Sequence, residues 1–283
     1  MKLSVIIPSR GRQRGLSTVV SGMHFLQSGK HEVTYGVICD EDDPETAKLC
    51  AALQAEGVPV AYTNGPRAPS LGGMINRMAE LLPGDVYVGI NDDVLCLTRN
   101  WDDVIAQAVD KTPHGVFWWE SDCEQQVLFP IITHRWKEAN GGLFTDFFPF
   151  WYDDLCLVEL WTMTTSQENI ILPIRICDRP RTRTHRMREL KFWQKVYNGT
   201  RKLRVAKSYE IAEKLGLEKP QAPHHIATLL NLHMKRVNDT WIQHIEDTQG
   251  DPSPPDAAYL KKREEAERML NDIGENKEIP IAA

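Results

Sequence analysis

The sequence predicts an α/β protein whose mostly parallel sheet is flanked by helices and followed by a helical C-terminal extension. Short runs rich in β-branched residues alternate with segments of helical period as far as about residue 110, which is typical of a doubly wound sheet. Beyond residue 186 the pattern is almost entirely helical. A chain of 283 residues suits one large domain with a smaller appendage. We therefore expect one domain over residues 1–200 and a helical region over 201–283.

The individual elements follow from short patterns bounded by turn residues. Asn100 is a candidate N-cap, and Pro44 suits the first turn of a helix. The expected strands are 3–7, 34–38, 58–62, 86–90, 116–119, 127–132 and 169–176. The expected helices are 16–26, 44–56, 71–82 and 101–109, with a charged last helix ending at Gly274.

Composition indicates a water-soluble globular protein without disulfides. The hydrophobic fraction is 42% and the mean hydropathy is -0.39. We find no 18-residue apolar run, and the opening MKLSVIIPSRGR is typical of a first strand, so we expect no membrane partner and a cytoplasmic location. The 6 cysteines are scattered and include no C-x-x-C pair, which predicts reduced core residues.

Charge is distributed unevenly along the chain. The net charge is -6, yet residues 175–207 contain twelve Lys and Arg against only Asp178 and Glu189. We call residues 175–207 the basic band. An acidic body with one basic segment indicates a partner that carries negative charge.

Three polar clusters follow predicted strands. PSRGR (8–12) follows the first strand, CDEDDPE (39–45) the second, and NDDV (91–94) the fourth. Ligands of open α/β sheets bind beyond the carboxyl ends of the strands. Adjacent carboxylates repel each other, and a divalent cation is the usual compensation. A solvated loop is the alternative for CDEDDPE, and the absence of G-x-G-x-x-G or a P-loop after the first strand argues against those nucleotide sites.

A fourth polar cluster, the acidic pair Asp153 and Asp154, lies in FFPFWYDDLCLVELW, between apolar and aromatic residues. Paired carboxylates in apolar surroundings are costly and often functional. A buried ion pair with an arginine of the basic band is the alternative.

In order and spacing, these motifs resemble the GT-A glycosyltransferases, close to family 2, over residues 3–195. PSRGR, with Pro8, Arg10 and Arg12, resembles the loop that lies against the nucleotide. Asp40 resembles the acidic residue that contacts the base. NDDV resembles the DXD metal motif, and WYDDL the motif that supplies the catalytic base. The first position of the DXD-like motif is Asn91, which leaves open whether Asn91 or Asp92 takes the ribose-side role.

The resemblance implies a nucleotide-sugar donor, expected to be a UDP-sugar, and a Mn²⁺ or Mg²⁺ ion held by Asp93. Relatives often carry a further metal ligand downstream, for which His185 is the candidate and Asp178 its rival; a structural or solvated histidine is the alternative. Arg67 and Asn76 lie where relatives contact nucleotide or pyrophosphate, although a plain helix start explains that segment equally well.

The resemblance also implies an inverting, single-displacement transfer. A carboxylate takes the proton of the acceptor hydroxyl. We favour Asp154 over Asp153 for this role, because the base of the family is usually the second residue of the acidic pair.

The basic band is the part of the sequence that bears on the acceptor. Aromatic residues are interleaved with its charges, and basic groups track phosphates while aromatic rings stack on bases. We therefore expect double-stranded DNA as partner. Some bacteriophages encode glycosyltransferases that modify hydroxymethylated pyrimidines in their DNA, so the resemblance implies such a pyrimidine of phage DNA as acceptor. The main rival is a saccharide or an anionic envelope polymer, and Phe192 and Trp193 packing inward is the structural alternative. The expected DNA-binding residues are Arg181, Arg183, Arg186, Arg188, Lys191, Trp193 and Lys195.

Two other classes of protein stay open from the sequence. A nucleotidyltransferase shares the fold and the metal chemistry, but it normally has a Gly-rich loop after the first strand, where PSRGR has Gly11 alone. A non-catalytic nucleic-acid-binding protein would use the basic band, and it would not need Asp93 or Asp154. The sequence leaves the oligomeric state open.

Overall fold

The computed structural model describes residues 1–66, 70–121, 129–149, 152–178, 188–219 and 254–274. The chain divides into two compact units, Met1–Phe144 with Asn169–Thr184, and Thr145–Glu168 with His185–Ala283. The predicted division into residues 1–200 and 201–283 stays a prediction.

The first unit is built on a sheet of eight described strands. The strands are β1 (Lys2–Pro8), β2 (Glu32–Asp40), β3 (Val60–Gly65), β4 (Val86–Gly89), β5 (Val94–Cys96), β6 (Val116–Ser121), β7 (Ile131–Thr133) and β8 (Ile170–Asp178). Their order is β3-β2-β1-β4-β7-β6-β8-β5. Pairings are parallel among β3, β2, β1 and β4 and between β6 and β8, and antiparallel elsewhere. The predicted α/β class is therefore confirmed.

Five described helices belong to this unit: α1 (Gln13–Leu26), α2 (Pro44–Ala55), α3 (Leu71–Leu81), α4 (Trp101–Lys111) and α5 (His134–Asn140). Leu3 to Ile7 of β1 are all buried, as expected for a central parallel strand covered on both faces. The core that they join includes residues of α1, α2 and α4 as well as β2, β4 and β8.

Several element boundaries differ from the predicted ones. Helix α1 begins at Gln13, not at Leu16, and β3 runs over Val60–Gly65, not over 58–62. Asn100 occupies the N-cap position of α4 as predicted, but it has a left-handed backbone with φ 56 and no side-chain capping hydrogen bond. Pro44 does open α2, where the Asp43 carboxylate accepts a hydrogen bond from the Thr46 amide.

The second unit is helical in its described part, comprising α6 (Asp153–Thr165), α7 (Leu190–Gly199), α8 (Arg201–Leu215) and α9 (Ala257–Gly274). Helix α6 has buried residues on all sides, which is typical of a core helix. A buried ion pair between Glu159 of α6 and Arg204 of α8 joins these two helices. The Arg204 guanidinium also donates to the Tyr197 carbonyl and the Thr200 hydroxyl, at 2.8 and 2.9 Å.

The predicted state of the cysteines is confirmed where the structure describes them. Cys39, Cys50, Cys96, Cys156 and Cys177 are free and buried. Cys123 lies outside the described residues. None of the helices in the described ranges is long and apolar enough to cross a membrane.

Candidate functional site

The candidate site lies where the strand order of the first unit reverses. Strands β1, β2 and β3 follow one another toward one edge, whereas β4 pairs with the other side of β1. The loops after β1 and β4 therefore leave the sheet in different directions, which opens a crevice at their carboxyl ends. PSRGR follows β1 and NDD follows β4, so both motifs border this crevice.

Arg12 connects the two sides of the crevice. Its Nη1 atom donates to Oδ1 of Asp92 at 2.9 Å and to Oδ2 of Asp93 at 2.7 Å. The Ser9 hydroxyl donates to the other oxygen of Asp92 at 2.8 Å. Burial raises the pKa of Asp92 despite the opposing effects of Ser9 and Arg12. The Asp92 and Asp93 side chains therefore lie together, and the Arg12 guanidinium compensates their negative charge.

Arg10 forms a second bridge, toward the end of β2. Its Nη1 atom donates to Asp40 at 2.8 Å and also to Asp42, and its Nη2 atom donates to Asp42 at 2.7 Å. The hydrogen bonds that Arg10 donates to Asp42 are the main reason that the pKa of Arg10 lies above its ordinary value, and burial opposes the rise. Asp40 is only 4% exposed, so its charge depends on Arg10 for compensation.

Asp43 fixes the backbone of the PSRGR loop. The Gly11 amide donates to its Oδ2 at 2.6 Å, and the Thr46 hydroxyl donates to the same atom at 2.6 Å. Burial acts to raise the pKa of Asp43, but these hydrogen bonds outweigh it and the pKa lies below its ordinary value. Gly11 has φ +63, a conformation that suits glycine and lets the loop turn between the two arginines.

A small cavity of about 40 Å³ lies at the ends of β2 and β3. Asp40 lines it together with Thr63, Gly65, Gly73 and Arg77. The lining therefore combines the Asp40 carboxylate, the Thr63 hydroxyl and the Arg77 guanidinium with apolar side chains such as those of Met74 and Met78.

Two residues of this site were missed by sequence reasoning. A Cβ on Gly15 would lie 2.4 Å from the Asp92 carbonyl oxygen, so glycine is needed for α1 to approach the NDD turn. The spacing of glycines in RGRQRG was the available signal. In the sequence Asp43 could not be distinguished from the other carboxylates of its loop, because no local pattern indicates its hydrogen bonds with Gly11 and Thr46.

The structure also describes Pro8, Asn76 and Asn91, three further predicted site residues of the first unit. Pro8 ends β1, and the Asn91 carbonyl accepts from the Val94 amide. The Asn76 side chain donates to the Phe144 carbonyl at 2.8 Å and accepts from the Leu143 amide at 2.8 Å, so it anchors the loop that follows α5. Its predicted contact with nucleotide stays a prediction.

Five predicted site residues lie outside the described residues, namely Arg67, Arg181, Arg183, His185 and Arg186.

Among the side chains that the structure describes, no group of three or more His, Cys, Asp and Glu could hold a metal ion. The carboxylates of Asp92 and Asp93 are nevertheless the hard oxygen donors that Mn²⁺ and Mg²⁺ prefer. Both approach one guanidinium nitrogen, so a cation at that position would contact both. Strand pairing places Asp178 opposite Val94, one residue after Asp93. The donor set therefore fits a divalent cation in place of the Arg12 nitrogen.

The second acidic pair belongs to the second unit, where it forms the first turn of α6. Asp153 is 5% exposed, and Asp154 is half-buried. Burial raises the pKa of Asp154, although the Leu155 amide donates to its Oδ1 at 2.8 Å. A carboxylate with a raised pKa at a helix N-terminus is suited to accept a proton near neutral pH.

The basic band is interrupted by burial and ion pairs. Trp193 needs correction as a predicted stacking residue, because its ring is 1% exposed and its indole N–H donates to Tyr259. It packs against Phe147 and Phe148, which agrees with the inward-packing alternative. Arg188 lies over the Tyr259 ring, and Arg204 is buried against Glu159. Lys191 and Lys195 are exposed on α7.

Comparison with known proteins identifies the fold. No protein-family model and no curated protein sequence matches the chain. A mannosyltransferase from Pyrobaculum calidifontis, solved with GDP-Man and Mn²⁺, is similar with a TM-score of 0.53 and 13% identity over 96% of this chain and 84% of that chain. Residues 1–349 of S. aureus TarS with UDP-GlcNAc are similar with a TM-score of 0.61 and 11% identity over 96% of this chain and 81% of that chain. The same TarS segment solved with UDP is similar with a TM-score of 0.59 and 12% identity over 97% of this chain and 87% of that chain.

These similarities establish the GT-A glycosyltransferase fold that the sequence motifs predicted. At this level of identity they establish the fold alone.

Proposed function

We propose that the chain is a glycosyltransferase that moves a sugar from a nucleotide sugar, expected to be a UDP-sugar, to an acceptor hydroxyl. The observation that carries this proposal is the pair of arginine–carboxylate bridges at the switch point of the sheet, Arg10 with Asp40 and Arg12 with Asp92 and Asp93. Similar folds have been solved with UDP, UDP-GlcNAc and GDP-Man, which supports a nucleotide-sugar donor here.

The candidate-site side chains of the first unit have the following roles in this proposal. Asp40 accepts hydrogen bonds from the base, because it lines the cavity at the ends of β2 and β3. Asn91 or Asp92 takes the ribose-side role, and the Asp92 carboxylate is fixed by the Ser9 hydroxyl. Asp93 holds Mn²⁺ or Mg²⁺, which when bound neutralises negative charge on the leaving diphosphate. Arg10 and Arg12 supply the positive charge of the chain itself.

The reaction proposed is a single displacement. The acceptor oxygen forms a bond to the anomeric carbon while the bond from that carbon to the phosphate oxygen breaks. The acceptor proton passes to Asp154, and the nucleoside diphosphate leaves with the electron pair of the broken bond. Attack on the face opposite the leaving group inverts the anomeric configuration. Asp154 suits the base role better than Asp153, which is more deeply buried.

The donor reaction is tested without knowledge of the acceptor. The purified chain is incubated with UDP-sugars and GDP-mannose in the presence of Mn²⁺, and the release of nucleoside diphosphate is measured. We expect release from one donor, loss of release with EDTA, and a decrease of at least about 100-fold for Asp93→Asn. Glu56→Gln, an exposed change at the end of α2, is the matched control. No release and no transfer with any donor would contradict the proposal.

For the acceptor we propose a hydroxymethylated pyrimidine in duplex DNA. Such a group projects into the major groove, so phosphate contacts suffice to position the duplex. The exposed side chains of Lys191 and Lys195 support this choice, whereas Arg204 is buried in an ion pair with Glu159 and does not contribute to it. Intact-mass measurement of a hydroxymethylcytosine duplex after incubation tests it. A gain of one hexose or pentose is expected, whereas donor hydrolysis without a gain would favour a saccharide acceptor.

A further inference from the structure

The charges around the candidate site do not balance in the absence of a ligand. Among the described residues, the carboxylates of the site outnumber its guanidinium groups by five to three, the carboxylates being Asp40, Asp42, Asp43, Asp92 and Asp93 and the guanidinium groups Arg10, Arg12 and Arg77. A nucleoside diphosphate adds at least two further negative charges to this region. Its binding therefore needs either an added cation or a rearrangement of the arginines.

Arg12 occupies the position that an added cation would take. A single atom, Nη1, lies 2.9 Å from an Asp92 oxygen and 2.7 Å from an Asp93 oxygen. Divalent cations bind carboxylate oxygens at about 2.0–2.6 Å, so an ion that used both oxygens would overlap the guanidinium. The Asp92 and Asp93 side chains are only 4% and 12% exposed, and water cannot replace the lost compensation from outside.

We propose that Arg12 is an exchangeable counter-ion of the Asp92–Asp93 pair. It compensates both carboxylates when no cation is present and leaves them when a divalent cation enters. Its guanidinium then turns to the diphosphate, whose oxygens it can bind in a bidentate manner. This last step rests on the proposed function, whereas the competition between Arg12 and the cation does not.

The exchange predicts how cation and nucleotide binding depend on each other. Without nucleotide, the cation must displace Arg12 into solvent, so its affinity is reduced. With a diphosphate present, the displaced guanidinium gains a new partner, and the two ligands strengthen each other. Arg12 is therefore a positioning residue whose removal should tighten cation binding and weaken this mutual effect.

The test measures Mn²⁺ binding by titration calorimetry without donor or acceptor. For Arg12→Gln we expect the Kd for Mn²⁺ to fall by about tenfold, equivalent to about 1.4 kcal/mol. Arg14→Gln, an exposed change in α1, should leave the Kd unchanged. Arg12→Gln combined with Asp93→Asn should lose the gain, because the freed carboxylate is absent. Arg12→Lys keeps the positive charge, so its Kd for Mn²⁺ should lie between those of wild type and Arg12→Gln.

A second titration follows UDP binding with and without Mn²⁺. Mn²⁺ should tighten UDP binding to wild type and have a smaller effect on Arg12→Gln. Thermal melting of each variant verifies that it is folded before binding is interpreted. Unchanged or weaker Mn²⁺ binding by folded Arg12→Gln, or no Mn²⁺ binding by any variant, would overturn the exchange. Because the Mn²⁺ titration uses no sugar donor, tighter binding by Arg12→Gln in a protein without transferase activity would reject the proposed function and keep the exchange.

Discussion

At the residue scale, the candidate site consists of carboxylates at strand ends and of the arginines that compensate their charge. Asp40, Asp92 and Asp93 follow strands that the sequence identifies clearly, and strand ends of a parallel sheet meet at one edge. The hydrogen bonds of Arg12 to Asp92 and Asp93 span about 80 residues of chain. No local pattern specifies which arginine of PSRGR pairs with which carboxylate, so the sequence could only place them in the same region.

The protonation of Asp154 gives a residue-scale prediction. Burial raises its pKa above the ordinary 3.8 of an aspartate. A base must be ionised, so kcat/KM should fall as the pH decreases through this raised pKa, with a midpoint above 3.8. Asp154→Asn should lower kcat by about 10²–10⁴-fold and remove this acidic limb.

The control for the pH profile is Asp146→Asn, which changes an exposed carboxylate of the same unit. It should keep both the rate and the acidic limb. A profile of Asp154→Asn with the wild-type rate and limb would show that another group serves as the base.

At the element scale, the parallel part of the sheet could be predicted and the later strands only in outline. Strands β1 to β4 alternate with helices, so period and turn residues locate them. Strands β5, β7 and β8 pair antiparallel with neighbours that lie far along the chain, as β5 does with β8. Their order depends on these distant pairings. The sequence therefore indicated strands at 127–132 and 169–176 without their positions in the sheet.

The packing of α1 against the NDD turn gives an element-scale prediction. A methyl group on Gly15 would lie 2.4 Å from the Asp92 carbonyl oxygen, so Gly15→Ala must displace the helix or the turn. We expect a loss of about 1–3 kcal/mol in the free energy of unfolding and weaker UDP binding. Denaturant titration and calorimetry measure the two effects.

Gly22→Ala is the matched control in the same helix, because a Cβ at Gly22 meets nothing within 4 Å. It should stabilise the protein by about 0.5–1 kcal/mol through helix propensity and leave UDP binding unchanged. Equal effects of the two substitutions would mean that the close approach at Gly15 has no energetic consequence.

The ion pair between α6 and α8 gives a second element-scale prediction. Arg204→Met leaves the buried Glu159 carboxylate without its partner, and we expect a loss of about 3–5 kcal/mol in the free energy of unfolding. Combining it with Glu159→Leu removes both charges and should restore much of the loss. Lys207→Met, which breaks a half-exposed pair with Glu210, should cost less than about 1 kcal/mol. A double variant as unstable as Arg204→Met would contradict this account.

At the scale of the whole molecule, the chain forms two compact units, each built from segments that are separate in the sequence. Residues 145–168 group with the second unit, whereas β8 (Ile170–Asp178) returns to the sheet of the first unit. Such an exchange of segments depends on packing, for example of α6 on α8, and not on any composition change at a linker. The apolar sequence around Asp153 and Asp154 predicted burial correctly but could not identify the neighbours.

The distribution of charge gives a prediction for the whole molecule. The chain has a net charge of -6, so any affinity for DNA must come from local basic groups such as Lys191 and Lys195. If these two lysines contact phosphates, changing both to Gln should reduce the slope of log K against log salt by about 2, since each phosphate contact contributes about 0.9. Fluorescence anisotropy with a hydroxymethylcytosine duplex at several salt concentrations measures the slope. Lys261→Gln, an exposed change on α9, is the control and should leave the slope unchanged. A wild-type slope near zero, or equal slopes for wild type and the double variant, would remove α7 from the DNA contact and favour a saccharide acceptor.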